Sequence, residues 1–463
     1  MYKRYHIERS PAKLPSTQVG KFVIIRHDEE CLNCGRCISQ CIYDVHKRDS
    51  NDSRKMAEPE SFFCKNCFSC IQNCPQQALE MVKNKESENL GDIYWTPQII
   101  HTIWNEAEEG KIPVFGAGYR GPFRGSGFDD IWTDMSEIVR PTRDGIHGRE
   151  YIATSVDLGR KLPWISDFKK LNMPNICEIP IPILLETDPL ELNSKSIILA
   201  ITRTAHQLGT LAFLDIKNYF DELNPYLKSI ALRFPLERVA HINSVPWKNV
   251  NLIEIVLPEK FLISDLEHVL KNLKKKNQTA LFSLGLTDPC LSEGIFKLVQ
   301  DSKVDILNFY TDNHGQSLKD DLFICKAIRK LHLDFVKSRI RDEISIIGQG
   351  GIAAAEHVPK SIICGIDAAV LDLSLLVALG CRVCKDCLIK SCPAEINKLD
   401  PKTATQRIIN MICAWRDQLL EILSAMGIRD VRRLRGEVGR AMFYKEIEKE
   451  SFEFIFFEDS MFK

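Results

Sequence analysis

Eight of the seventeen cysteines lie between positions 31 and 74, and four more lie between 381 and 392. The runs Cys31-Leu-Asn-Cys34-Gly-Arg-Cys37-Ile-Ser-Gln-Cys41 and Cys64-Lys-Asn-Cys67-Phe-Ser-Cys70-Ile-Gln-Asn-Cys74-Pro75 share the spacing C-x2-C-x2-C-x3-C. Thiolate sulfur is the soft donor that iron in a cubane prefers, and in paired runs of this spacing the fourth cysteine of each ligates the other cluster. One 4Fe-4S cluster would then take Cys31, Cys34, Cys37 and Cys74, and a second would take Cys64, Cys67, Cys70 and Cys41. A structural zinc or a disulfide framework accounts less well for a doubled eight-cysteine spacing and an odd total. A third run reads Cys381-Arg-Val-Cys384-Lys-Asp-Cys387-Leu-Ile-Lys-Ser-Cys392-Pro393. Its C-x5-C-x4-C subset suits a 3Fe-4S cluster, Cys384 offers the fourth ligand of a 4Fe-4S cluster, and a four-thiolate zinc site is the alternative. The trailing Cys-Pro and the company of two other runs favour iron–sulfur. Cys177, Cys290, Cys325, Cys364 and Cys413 stand apart and read as core residues.

These ligands need elements to hold them. A chain of 463 residues exceeds one ordinary domain, and 44% hydrophobic residues supply real cores. With 61 Lys+Arg against 62 Asp+Glu, the charge balance argues against nucleic acid as partner. No stretch of about 18 apolar residues and no apolar core of a signal peptide occurs, so a cytoplasmic protein without a membrane span is expected. The expected organisation is a tail over 1–22, an α+β two-cluster ferredoxin domain over 23–90, a Gly/Arg-rich segment over 91–177, a barrel over 178–378, and a cysteine motif with a helical docking region over 379–463. Residues 47–60, rich in Lys, Asp and Ser, read as a solvated loop between the first two runs.

The barrel expectation rests on short apolar runs alternating with helical periodicity. Strands are predicted over 196–201, 211–215, 239–243, 252–256, 279–284, 304–309, 344–347 and 368–371, with helices such as 264–275 and 322–331 between them. Eight such units in about 180 residues suggest a (β/α)8 TIM-type barrel, with a doubly wound sheet as runner-up. Chemistry in such a barrel sits at the strand C-termini. There, Gly350 and Gly351 would offer bare amides to a phosphate, as a tight turn also would, and Ser374 follows strand eight. Asp312 and His314 after strand six are candidates for acid–base work or a structural pair. Upstream, Gly116 and Gly118 allow close backbone approach to a planar ligand, and Arg140, Arg143 and Arg149 would neutralise phosphate or carboxylate, or form structural ion pairs. Apolar residues at helical spacing over 404–426 predict a docking helix.

Several long motifs carry a resemblance. GAGYRGPFRGSGFDDIWTDMSEIVRPTRDGIHGREYIATSVDLGRK, IIGQGGIAAAEHVPKSIICGIDAAVLDLSLLVALGC, the C-x5-C-x4-CP run and AWRDQLLEILSAMGIRDVRRLRGEVGR together resemble the FMN-binding domain of glutamate synthases, in the branch that carries a ferredoxin module. The resemblance implies an FMN barrel with an iron–sulfur cluster that reduces the flavin, and reductive formation of glutamate from a 2-oxo or imino acid. It makes Gly350 and Gly351 phosphate-binding glycines and Cys381, Cys387 and Cys392 three-iron ligands, with no counterpart for Cys384. The chain departs from the family at Ala200-Ile-Thr-Arg-Thr-Ala-His206, at Leu257-Pro-Glu-Lys-Phe and at 310–316, where Gly-rich or flavin-covering loops are expected. An amidotransferase nucleophile is also missing ahead of Cys31, so ammonia would come from a separate glutaminase subunit, and electrons from another redox subunit or a ferredoxin-type donor. The competing expectation is an electron-relay or assembly subunit whose barrel has lost its chemistry.

Overall fold

Eight parallel strands close into a barrel: Ile183–Glu186, Ala212–Asp215, Ile230–Pro235, Leu252–Val256, Leu281–Leu286, Ile306–Tyr310, Ser345–Gln349 and Ala368–Leu371. Each pairs with its neighbour in sequence, and the eighth returns to the first through Ala369 opposite Ile183. Strands covered on both faces read as continuous apolar runs, which is why all four residues of the first and all six of the fifth are buried. The computed structural model describes residues 5–14, 19–112, 127–128, 131–133, 151–161, 175–237, 249–287, 289, 293–301, 303–319, 322–384, 387, 392–437 and 441–443.

Six of the eight predicted strands lie within two residues of these positions, and two do not. Residues 196–201 belong to a helix, Lys195–Leu208, whose buried Ile197, Ile198, Ile201, Ala205 and Leu208 follow the helical repeat and which ends at Gly209 with φ 70°. The true first strand, Ile183–Glu186, has only four residues and leaves no room for alternation. The third strand is Ile230–Pro235; the predicted 239–243 lies outside the described residues.

The chain divides into two compact units, one of residues 1–12, 105–379 and 397–463, the other of 13–104 and 380–396. The third cysteine run thus packs with the first two, whereas the expected division grouped it with the C-terminal helices. In the barrel unit the long helix Pro401–Ala425 starts at Asp400, whose carboxylate accepts the Thr403 N–H at 3.0 Å. It packs on Lys195–Leu208, and its fully buried Arg407 donates to the carbonyls of Ala378 and Ala12. Trp415 and Gln418 both donate to Glu106, each at 2.8 Å. Among the described residues, no helix is long and apolar enough to cross a membrane.

The cysteine unit is built on an antiparallel pair, Phe22–Arg26 with Leu79–Lys83, and two short helices, Arg36–Gln40 and Ser69–Gln72. Ile24, Val45, Cys70 and Leu79 form a small apolar cluster beside the two cysteine runs.

At the N-terminal end of the barrel, Asp367 is held by Arg341 at 2.9 Å and Arg435 at 2.7 Å, and it also accepts the Ile346 N–H at 2.8 Å. Burial opposes its ionisation, but the two arginines outweigh that and keep its carboxyl below the usual carboxylate range. Asp367→Ala would leave the buried Arg341 with its charge uncompensated and should cost about 3–5 kcal/mol in chemical unfolding, with Asp367→Asn costing less.

Candidate metal centres and the barrel mouth

Two cavities open in the cysteine unit, and each draws cysteines from both runs. One is lined by Cys31, Cys34, Cys37 and Cys74, together with Arg26, Met56, Pro75 and Leu79. The other is lined by Cys64, Cys67, Cys70 and Cys41, together with Ile24, Tyr43, His46, Phe68 and Met81. The crossing of Cys41 and Cys74 is the arrangement that the spacing predicts. Among the described residues, no three His, Cys, Asp or Glu side chains converge on a point suited to one metal ion. Sulfurs arranged around a cavity suit a polynuclear cluster better than a zinc held at about 2.3 Å.

The loops share a local geometry. Asn33 (φ 52°) and Gly35 (φ 75°) occupy the left-handed region in the first run, as Asn66 and Phe68 (both φ 59°) do in the second. These turns let the peptide N–H groups point inward, and the Asn66 N–H bonds the Cys64 sulfur. In the third run Val383 has φ 55° and its N–H donates to Cys381 Sγ at 3.4 Å. A β-branched residue in that region is a rare strain that persists only where the surroundings impose it. Cys381 is buried and Cys384 exposed, with Cys387 and Cys392 between, and Gly91 donates to the Arg382 carbonyl at 3.1 Å. Burial pushes the Cys70 thiol up to about 11 and the Cys381 thiol up to about 12, so at neutral pH a metal must displace their protons.

Two polar residues that sequence reasoning missed line these cavities. His46 is 2% exposed and neither ring nitrogen has a partner. Burial, then the Arg26 charge, lowers its pKa to about 4, so it stays neutral. Arg26 donates through Nη1 to the Ala57 carbonyl at 2.8 Å, while its Nε and Nη2 are buried without partners. The only signal in the sequence was their position beside a cysteine run.

In the barrel unit the C-terminal mouth is dominated by another missed residue. Arg233 donates to Glu254 at 2.8 Å, Glu186 at 2.5 Å and Gln349 at 3.2 Å, and its guanidinium stacks on the rings of Phe213 and Tyr310. Glu254 also accepts from Ser283 at 2.9 Å, Asn308 at 3.0 Å and the Tyr310 hydroxyl. Burial pushes the Glu186 carboxyl up, and the Arg233 charge holds it back. A charged residue inside an apolar strand, as in IALRFP and LIEIV, is the pattern that marks them.

Of the predicted mouth residues, Asp312 accepts the N–H groups of His314 at 2.9 Å and Gln316 at 2.7 Å, and its other oxygen lies 3.9 Å from the His314 ring. That is a loop-stabilising role. A Cβ at Gly350 would strike Thr311, and one at Gly351 would lie 2.6 Å from the Gly315 backbone, so neighbouring chain already occupies the space beside both glycines. Ser374 Oγ is buried without a partner, as is Thr187 Oγ1 after the adjoining first strand. Gly116, Gly118, Arg140, Arg143 and Arg149 lie outside the described residues.

Among the described residues, several groups at the place where the resemblance puts the phosphate of FMN are already engaged. Asp372 Oδ1 accepts the Leu373 N–H at 2.6 Å, capping the short helix after strand eight, and the Ala353 N–H is given to His357 Nδ1 at 3.1 Å.

A parallel eight-stranded barrel and a unit with two four-cysteine cavities define an iron–sulfur oxidoreductase class. Residues 319–429 match the model of the conserved region in glutamate synthase, and residues 23–75 match the 4Fe-4S dicluster domain. The archaeal-type glutamate synthase (NADPH) of Dehalococcoides mccartyi is 23% identical across 90% of this chain and 94% of its own. The archaeal glutamate synthase (NADPH) of Archaeoglobus fulgidus is 25% identical across 90% and 93%. Among solved structures, a flavocytochrome b2 mutant with pyruvate bound aligns with a TM-score of 0.42 at 11% identity, covering 67% of this chain and 80% of that one. Over about nine-tenths of its length the chain is thus similar to archaeal-type glutamate synthases, and it is a glutamate synthase-like oxidoreductase carrying a ferredoxin-like 4Fe-4S domain.

Burial raises the Asp372 pKa to about 7, Leu373 opposing and Glu186 adding to the rise. The folded value lies above the ordinary one near 4, so the protein gains most from this group below about pH 4 and loses that gain as pH rises through about 7. Asp372→Asn should therefore become more stable than wild type by a few kcal/mol as pH goes from about 4 to 8; urea midpoints that stay parallel across that range would refute it.

Proposed function

We propose that the chain is an iron–sulfur electron-transfer subunit of a glutamate synthase-type assembly. One 4Fe-4S cluster is held by Cys31, Cys34, Cys37 and Cys74, a second by Cys64, Cys67, Cys70 and Cys41, and a third by the run from Cys381 to Cys392. The observation that carries this reading is the pair of cavities, each lined by three cysteines of one run and the fourth of the other. Electrons come from a ferredoxin-type donor or another redox subunit. In this reading release of ammonia from glutamine and reduction of the 2-oxo acid belong to partner chains; what supports it is that Arg233 at the mouth is already engaged by Glu186 and Glu254.

The third cluster is read as a cubane that includes Cys384. Its Cys-Arg-Val-Cys turn repeats the left-handed third residue of the Cys-x-x-Cys turns at Asn33 and Asn66 and the N–H to sulfur bond seen at Cys64. A three-iron site would have no use for that turn.

A second reading keeps the flavin in this chain. The partnerless hydroxyls of Ser374 and Thr187, buried at adjoining strand ends, favour it, since unpaired buried donors ask for an acceptor. FMN held there, with Gly350 and Gly351 nearby, would supply hydride chemistry toward a 2-oxo or imino acid.

Anaerobically purified protein separates the two. The first reading expects about twelve irons per chain, no stoichiometric FMN, and no glutamate from 2-oxoglutarate and ammonia by the chain alone with a low-potential reductant. Stoichiometric FMN with glutamate formation establishes the second. Oxidised cubanes are diamagnetic, so wild type should lack a three-iron EPR signal and Cys384→Ala should acquire one; a three-iron signal already present in wild type refutes the four-ligand assignment.

A further inference from the structure

The two cubane cavities are near-twins in their cysteines but not in the polar groups behind them. Exposed cations stand at each rim, Arg36 and Arg48 at the first, where Arg48 donates to the Asn33 carbonyl at 2.7 Å, and Lys65 at the second, and these are largely screened by solvent. The buried groups differ. Behind Cys31, Cys34, Cys37 and Cys74 stands Arg26, a permanent cation with Nε and Nη2 buried and unpaired. Behind Cys64, Cys67, Cys70 and Cys41 stands His46, 2% exposed, with neither ring nitrogen paired. Buried N–H groups left without partners are costly, and the sulfides and thiolates of a cluster are acceptors of the right sign and position.

Adding one electron to a cubane adds one negative charge, so a nearby cation and N–H donors favour the reduced form and raise its potential. A guanidinium brings both charge and two donors. An imidazole without charge brings a single donor.

We infer that Arg26 and His46 split the potentials of the two ferredoxin-type clusters, making the one bound by Cys31, Cys34, Cys37 and Cys74 the easier to reduce. The order gives the unit a direction: an electron arriving at either cluster settles on the first. His46 and Arg26 are positioning residues for the cluster charge and bind no iron themselves. The inference rests on the cluster assignment proposed above, and the test keeps the two apart.

The test is an EPR-monitored potentiometric titration of the full chain with its clusters assembled, excluding the couple that Cys384→Ala alters. Wild type should show two resolved couples. Arg26→Met should shift the higher one downward by clearly more than the lower. His46→Phe, which keeps the ring shape without an N–H, should shift only the lower one downward, and His46→Gln, which restores a donor, should recover part of the shift. Two coincident couples in wild type, an Arg26→Met protein with both couples unmoved, or a His46→Phe shift on the higher couple overturns the inference. Iron and sulfide analysis showing no cubane in these cavities overturns the cluster assignment itself.

Discussion

One buried cation governs what the barrel can be. Arg233 sits where water cannot solvate it, so Glu186, Glu254 and Gln349 must accept its donors in place of water. Through Glu254 the same network reaches Ser283, Asn308 and Tyr310, so strands one, three, four, five, six and seven all contribute to it. Such a cluster does little for net stability compared with apolar packing, but removing any one member strands the others. Among the described residues, the cation at the mouth is thus already doubly paired.

The cysteine unit obeys a different constraint. A cluster of side chains around Ile24 and Leu79 packs beside its first two cysteine runs, and its loops carry Asn33, Asn66, Phe68 and Val383 in the left-handed region, each at some cost in strain. The turns repay this by turning N–H groups toward sulfur, as the bonds to Cys64 and Cys381 show. Grouping the third cysteine run with the first two puts all twelve clustered cysteines in one unit, and leaves the barrel unit with isolated thiols only.

The two halves of the molecule were unequally legible. The cysteine runs were readable because ligation needs fixed residue types at short, fixed spacing, and even the exchange of Cys41 and Cys74 follows from that spacing. Six strands were readable from apolar runs of five or six residues. Ile183–Glu186 was not, since four residues carry no period, and the amphipathic helix at 195–208 looked like a strand over its first apolar turn. At Gly350 and Gly351 the missing side chains make room for Thr311 and Gly315.

By itself, then, the sequence determined the class of chemistry, the barrel and which cysteines line each cavity, all of which are written in local pattern. Only the tertiary structure decided how the mouth is used. Arg233, Glu186, Glu254 and Asp372 come from four separate strand ends, and nothing in their spacing announces that closure of the sheet brings them together in a place too dry for an unpaired charge. The same holds for His46 and Arg26, which acquire meaning only when folding buries their N–H groups against the cavities that the cysteines line.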